Sequence, residues 1–170
     1  MVAGRFNRIA QVMNVSPSLR DVWATDPLRA GEVLYDQICS EDRPRWAAEI
    51  LATCANCLTT VPKAVTHVIS IGRSRWRFRW RNGHTAFSQV RRLTLQAEAR
   101  RDEDTTHYLL YVAENAAKVI YNASDPVDAF DKDSGAWLVR CAYDFAARHG
   151  NERITDALWC AVSAHEPPRE

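Results

Sequence analysis

The chain has 170 residues, of which 46% are apolar and 25% charged, and its formal net charge is +1. This length and apolar content suffice for one sizeable core, so we expect a single domain over residues 1–170. No apolar run approaches the roughly 18 residues that a membrane-spanning helix needs, and the N-terminus lacks the apolar stretch of a secretory signal. We therefore expect a cytoplasmic protein that makes no contact with a membrane.

Although the total charge is close to zero, positive and negative charges are strongly separated along the chain. Residues 73–101 carry nine arginines, no lysine and one acid, a net of +8, whereas residues 102–170 carry six bases and thirteen acids, a net of −7. Charge asymmetry of this kind bears on partners and on steering rather than on the fold. By itself it does not identify a function.

Helix-start signals dominate the first part of the chain. A Ser-Pro pair at 16–17 and an Asp-Pro pair at 26–27 each place a capping residue before a proline at the first helical position. The second pair predicts a helix over residues 27–39. Ser40 then predicts the cap of a third helix, whose apolar residues recur every three or four positions as far as Leu58.

Residues 62–81 are ambiguous between helix and strand. Residues 62–71 fit a helix, although their β-branched side chains also suit a strand. The stretch that follows alternates arginine with aromatic residues, which on a strand would separate the rings from the guanidinium groups. On a helix, Phe78 would instead point away from Trp76 and Trp80. We expect a helix over 62–71, with a small β-hairpin within 62–81 as the alternative.

The remaining elements are predicted to be amphipathic helices. We place their boundaries from three signals: the apolar periodicity, acidic residues in the first turn, and proline or glycine between helices. The expected helices cover about residues 85–101, 102–122, 134–150 and 154–164. With residues 1–15 as an N-terminal arm and 165–170 as an exposed tail, the chain is predicted to be an all-α domain of six or seven helices.

The alternating run of arginine and aromatic residues is the best candidate for a function. Arg and Trp are enriched at protein-interface hot spots, while guanidinium groups also follow phosphates and rings stack on unpaired bases. The same pattern also suits a segment that needs no ligand, with its aromatic residues in the core and its guanidinium groups in water or paired with the acidic loop over 125–133. The candidate binding residues are Arg75, Trp76, Arg77, Phe78, Arg79, Trp80, Arg81, Arg91 and Arg92.

From these residues we expect a non-enzymatic protein–protein interaction module that presents a basic Arg/Trp surface. The expected partner is an acidic protein, which includes the acidic C-terminal half of a second copy of the chain. Nucleic-acid binding through the same residues is the alternative, although the sequence contains no recognisable nucleic-acid-binding motif. A small helical metal-dependent enzyme is the third hypothesis.

Cys54 and Cys57 are the only pair with a metal-ligand spacing. Two thiols three residues apart on a helix share a face and can coordinate Zn²⁺. Cys39 and His67 are the nearest candidates to complete four zinc ligands. The pair lies in mid-helix, away from the helix N-terminus that would stabilise a redox thiolate. We therefore expect free, mostly buried cysteines and no cofactor, with zinc as the alternative.

Catalytic residues are not predicted from this sequence. The five histidines show no short mutual spacing, and there is no Gly-x-Ser-x-Gly turn or glycine-rich phosphate loop. His107 and Glu114, two turns apart on one helix, form the best pairing for acid–base work. The spacing of Glu114 to Lys118 offers that carboxylate an ion pair instead.

Overall fold

The computed structural model describes residues 18–74, 76–101, 104–122, 131–150 and 152–164, without the side chains of 76–81, 131 and 132. Over these residues the protein is all-α, with eight helices and no strand, which confirms the expected fold class. The expected arm over 1–15 and tail over 165–170 lie outside the described residues. The helices are α1 Leu19–Thr25, α2 Pro27–Gln37, α3 Arg43–Ala55, α4 Lys63–Arg73, α5 Trp76–Arg100, α6 Thr105–Asn122, α7 Asp131–His149 and α8 Glu152–Val162.

Side-chain caps explain where the first two helices begin. Ser18 and Asp21 form a capping box at α1, in which the Ser18 hydroxyl accepts from the Asp21 N–H at 3.2 Å and the Asp21 carboxylate accepts from the Ser18 N–H at 3.2 Å. Asp26 caps α2 directly before Pro27, as predicted. The prediction that Ser40 caps the third helix is wrong, because the chain first makes a turn and α3 begins at Arg43.

The ambiguous stretch is helical wherever the structure describes it. Helix α4 closely matches the helix expected over 62–71, and α5 begins at Trp76, more than two turns before the expected start at residue 85. The hairpin alternative is thus not realised in 63–73 or 76–81. Arginine is a good helix former and each added residue closes one more helical hydrogen bond, whereas a strand here would need a partner strand.

Helix α7 also begins earlier than expected, at Asp131, and not at the predicted cap near Ser134. Ser134 is buried inside the helix, where its hydroxyl accepts from Asn122 Nδ2 at 3.3 Å. Gly150 ends α7 as predicted, with a φ of 63° that glycine adopts at little cost. The bond between Asn122 and Ser134 fixes the end of α6 against the start of α7.

Helices α3 and α6 form the centre of the bundle. Helix α6 packs on α3, α5 and α7, and α3 packs also on α4 and α8. Trp46, Ile50 and Leu51 of α3 are completely or almost completely buried, as is Leu109 of α6. Full burial of such side chains stabilises the fold by about 1.5–3 kcal/mol each. The Trp46 indole N–H also donates to the Val162 carbonyl at 2.9 Å, which ties α8 to the core.

The remaining helices pack around this centre. Helix α2 lies against α7, where a Cβ added to Gly135 would overlap the ring of Tyr35. Helix α5 lies at one edge of the bundle, in contact with α4 and α6. Within the described residues, no helix combines the length and the apolar character that crossing a bilayer requires.

Candidate functional site

Helix α5 is buried along one narrow stripe of its surface. The stripe consists of small side chains three or four residues apart: Gly83, Ala86, Val90, Thr94 and Ala97. They allow a close approach to α6, so that a Cβ on Gly83 would lie 3.5 Å from the Cα of Tyr121. Most other described side chains of α5 are exposed. The helix therefore presents much of its circumference to solvent.

One line of α5 carries exposed side chains that include Arg92, and we refer to it as the outward strip. Its described members are His84, Ser88, Arg92 and Leu95, all exposed, with Leu95 at 47%. The helical backbone places positions 77 and 81, both arginines, in the same register at spacings of four and three. Positions 76 and 80, both tryptophans, fall on the neighbouring line that leads to Phe87 and Arg91. Arg75 lies outside the described residues.

The edge of the bundle formed by α4 and α5 concentrates the positive charge. These two helices carry eight bases and a single acid, Glu98. Arg73 is held by Glu49 of α3 through two bonds of 2.9 Å. Arg92, in contrast, is exposed and makes no ion pair with any residue that the structure describes. Among the described residues, Arg92 is thus a cation of this edge that no carboxylate holds.

A groove separates α5 from α7, and α6 forms its floor. It encloses about 380 Å³, which lies within the size range of ligand pockets. The α6 positions on the floor span two helical turns, while α5 and α7 supply the two walls. The lining residues are His84 and Phe87 from α5, Asn115, Lys118, Tyr121 and Asn122 from α6, and Asp133, Ser134 and Trp137 from α7.

Aromatic rings dominate the walls of this groove. Trp137 is 52% exposed, and Phe87 is only partly buried. The ring of His84 lies 5.6 Å from that of Tyr121 at an angle of 61°, which joins the α5 wall to the floor. The Lys118 ammonium lies 5.9 Å from the centre of the Phe87 ring. The groove thus offers apolar faces beside a positive charge.

A buried carboxylate, Glu114, holds two cations beside the groove. Glu114 is only 4% exposed and meets two cations, Arg91 at 3.2 Å and Lys118 at 3.3 Å. Two cations around one anion leave a net positive charge, and both cations are partly exposed while Glu114 is not. The predicted pairing of Glu114 with Lys118 is therefore present, but the carboxylate lies inside the protein.

Tyr111, one turn before Glu114, joins the same polar face of α6. Its hydroxyl donates to Glu98 of α5 at 2.7 Å, and its ring stacks on His107 at 4.8 Å. Burial and the hydrogen bond to Glu98 raise the pKa of Tyr111 to about 12, so the phenol stays protonated at neutral pH. His107 thus contacts tyrosines while Glu114 holds Arg91 and Lys118, which gives the proposed acid–base pair separate partners.

The cysteines do not form a site with their predicted neighbours. Cys54 is fully buried, and burial, together with nearby Cys57 and Cys141, raises the pKa of its thiol well above the usual range. Cys57 donates to the Thr53 carbonyl at 3.3 Å, and burial raises its pKa as well. Cys39 and His67 are exposed. Within the described ranges, no three metal-ligating side chains lie close enough to share an ion.

A second, more open groove of about 540 Å³ lies between α3 and α4. Thr66, Ser70 and Asn56 supply most of its polar groups, and Arg73 supplies the only cation among its described lining residues. The Arg73 guanidinium is already engaged by Glu49, and the hydrogen bond from Arg73 lowers the pKa of that carboxyl. The described lining of this groove therefore offers no unpaired charge with which to select a ligand.

Two exposed apolar residues could not be recognised from the sequence. Leu95 of the outward strip and Trp137 of the groove fit the apolar periodicity of their helices, yet they are the two large apolar side chains that the described structure leaves exposed. Helical spacing alone placed them beside buried neighbours. Lys118 was expected only to pair with Glu114, because the position of Phe87 across the groove depends on how α5 packs on α6.

Comparison of the chain with protein-family models, with curated proteins and with solved structures found no match. The chemistry of the outward strip and of the groove is therefore the basis for assigning a function.

Proposed function

We propose that this protein is a non-enzymatic interaction module that presents the basic edge formed by α4 and α5 to an acidic protein partner. The observation that carries the proposal is the outward strip of α5. It combines the exposed side chains of Arg92 and Leu95 with two further arginine positions in register, 77 and 81. Arginine beside exposed apolar surface is the composition that protein interfaces favour.

The charge distribution supports an acidic partner. The whole chain has a net charge of +1, whereas α4 and α5 alone carry eight bases and one acid. Because these helices lie side by side at one edge of the bundle, their charges add to a positive field on that side. Such a field speeds the approach of an acidic surface and disfavours a basic one.

Co-purification from the native host tests the proposal directly. The strip variant changes Arg77, Arg81 and Arg92 to Glu. A control variant with the same change in charge alters Arg29, Arg140 and Arg153, which lie on α2, α7 and α8 away from the strip. Circular dichroism and urea unfolding establish that both variants fold.

We expect the wild type and the control to retain acidic proteins that elute at high salt, and the strip variant to lose them. Equal recovery of every partner by a folded strip variant would overturn the proposal. Two differently tagged copies that co-purify, and separate in the strip variant, would identify the acidic partner as a second copy of the chain.

An oligonucleotide assay addresses the alternative raised by the same arginines. Fluorescence anisotropy with single-stranded and duplex oligonucleotides at about 50 mM salt gives phosphate contacts their greatest strength. We expect no binding there. Binding that disappears in the strip variant but persists in the control would instead assign the basic edge to nucleic acid.

A further inference from the structure

We infer that the groove between α5 and α7 takes one large apolar side chain of an acidic, amphipathic helical segment of the partner protein. This inference rests on the proposed function and names the part of the partner that is recognised. It uses residues that lie beside the outward strip and that the strip itself does not include, above all Trp137 and Lys118.

The shape of the groove suits an anchoring side chain rather than a flat contact. Its floor runs over eight residues of α6, from Asn115 to Asn122, or about 10 Å at a rise of 1.5 Å per residue. That length matches about two turns of a helix laid along it. Interface anchors are large side chains that fill such pockets and exclude water.

The walls supply the apolar surface that an anchor needs. Phe87 of α5 and Trp137 of α7 line the groove together with Tyr121 of α6. Trp137 is 52% exposed, which is high for a large aromatic side chain that is mostly buried on average. An apolar group placed among these rings would remove their exposed faces from water.

The charges around the groove select the sequence that flanks the anchor. Lys118 lies in the floor, and Arg91 and Arg92 lie on α5 about one turn beyond Phe87. Glu114 neutralises one of these charges, and among the described lining residues Asp133 on the α7 wall is the single acid. The α5 side of the groove is therefore positive. A partner helix would place its carboxylates along α5 and its apolar stripe over the α6 floor.

A displayed library of random 16-residue peptides tests this inference without a known partner. Selection is carried out on the wild-type protein, and the selected peptides are then measured against three single variants. Trp137→Ser removes the exposed wall, Arg92→Glu reverses a charge of the strip, and Arg29→Glu on α2 is the matched control. The first two replace exposed side chains, so the fold is expected to persist.

We expect the selected peptides to be acidic and to carry aromatic or leucine residues at helical spacing. Trp137→Ser should weaken their binding at least about tenfold, as for a hot-spot residue, and Arg92→Glu should weaken it severalfold. Arg29→Glu should leave it unchanged. Acidic peptides that depend on Arg92 but not on Trp137 would overturn the groove assignment and leave the proposed function intact.

Two other outcomes would also overturn it. One is the absence of any enriched peptide, or enrichment of basic ones. The other is a single-stranded oligonucleotide that binds the wild type in a Trp137-dependent way while peptides do not. The co-purification experiment judges the proposed function independently in each case.

A spectroscopic readout places a selected peptide in the groove. In protein labelled with 5-fluorotryptophan, the Trp137 resonance is assigned by its loss in Trp137→Phe. We expect this resonance to shift on addition of the peptide, whereas that of Trp46, buried in the core at 1% exposure, stays in place. A shift at other tryptophans with none at Trp137 would contradict the inference.

Discussion

Arg91 reaches both carboxylate oxygens of Glu114 with one terminal nitrogen, at 3.2 Å, across the interface of α5 and α6. The carboxylate is buried, and Lys118 approaches it from the next turn of its own helix at 3.3 Å. Removing all partners from a buried charge costs about 3–5 kcal/mol. Either cation alone still compensates the carboxylate in part, so the two should act as substitutes for each other.

A double-mutant cycle on these cations checks that relationship. We expect Arg91→Leu and Lys118→Leu each to lower the free energy of unfolding by about 1.5 kcal/mol, the low end of the range for a hydrogen bond to a charged group. The double variant should lose at least about 1 kcal/mol more than the sum, because Glu114 is then stranded. Urea unfolding gives all three values.

The control cycle uses Arg29→Leu and Arg140→Leu, which are exposed, lie on different helices and pair with different acids. Their effects should add within about 0.5 kcal/mol. If the losses of unfolding free energy for Arg91→Leu and Lys118→Leu are also additive, the two cations do not substitute for each other at Glu114.

Two glycines should respond in opposite ways to the same substitution. A Cβ at Gly135 would overlap the ring of Tyr35, which is itself buried, so Gly135→Ala should destabilise the fold by about 1–3 kcal/mol. At Gly83 the nearest atom would lie at 3.5 Å, an ordinary contact. Gly83→Ala should therefore stabilise α5 by about 0.5–1 kcal/mol. Thermal melting that shows the same sign for both variants would contradict the packing described for α2 and α7.

The five thiols should fall into distinct classes of reactivity. Burial raises the pKa of Cys141 to about 12 and that of Cys54 still higher, so both remain thiols at pH 8, whereas Cys39 and Cys160 are exposed. Because the thiolate is the nucleophile, Ellman's reagent should label Cys39 and Cys160 quickly in the native protein. In urea all five should react. Rapid native labelling of Cys54, located by mass spectrometry, would be inconsistent with a closed core.

Tyr111 should contribute to the alkaline limit of stability. Its pKa is raised to about 12 in the folded protein, against an ordinary value of 10.0. A raised pKa means that the folded state holds the proton more tightly, so the contribution is complete below about pH 10 and is lost as the pH rises towards 12. The urea midpoint of Tyr111→Phe should fall less steeply over this range than that of the wild type. If the urea midpoints of the two proteins fall in parallel with pH, the result would argue against the hydrogen bond between Tyr111 and Glu98.

The sequence predicted the class of fold and some of the helix boundaries. Asp26 before Pro27 and Gly150 after α7 act as expected, because caps and helix stops depend on a few adjacent residues. The start of α5 at Trp76 was missed. Alternating arginine and aromatic residues are compatible with a strand and with a helix, and the packing partners decide between them. Helix α5 packs on the helices α4 and α6.

The candidate site was only partly accessible to such reasoning. The pair of Glu114 with Lys118 follows from a spacing of four, but the third member, Arg91, is 23 residues away in sequence. Trp137 fits the apolar periodicity of α7, which predicts a buried ring. Its exposure depends on the distance between α7 and α5, and no local pattern gives that distance. The missing information in both cases is the relative placement of helices.

The narrow stripe of small side chains under α5 has a consequence for how the bundle opens. Gly83, Ala86 and Ala97 bury little apolar surface compared with Trp46 and the other large residues of α3. Helix α5 should therefore detach at a lower free energy than the centre, and its amides should exchange first with heavy water. A partner that holds α5 stabilises only the closed form. Recognition would then slow that exchange, and a protease would find the bound protein harder to cut there than the free one.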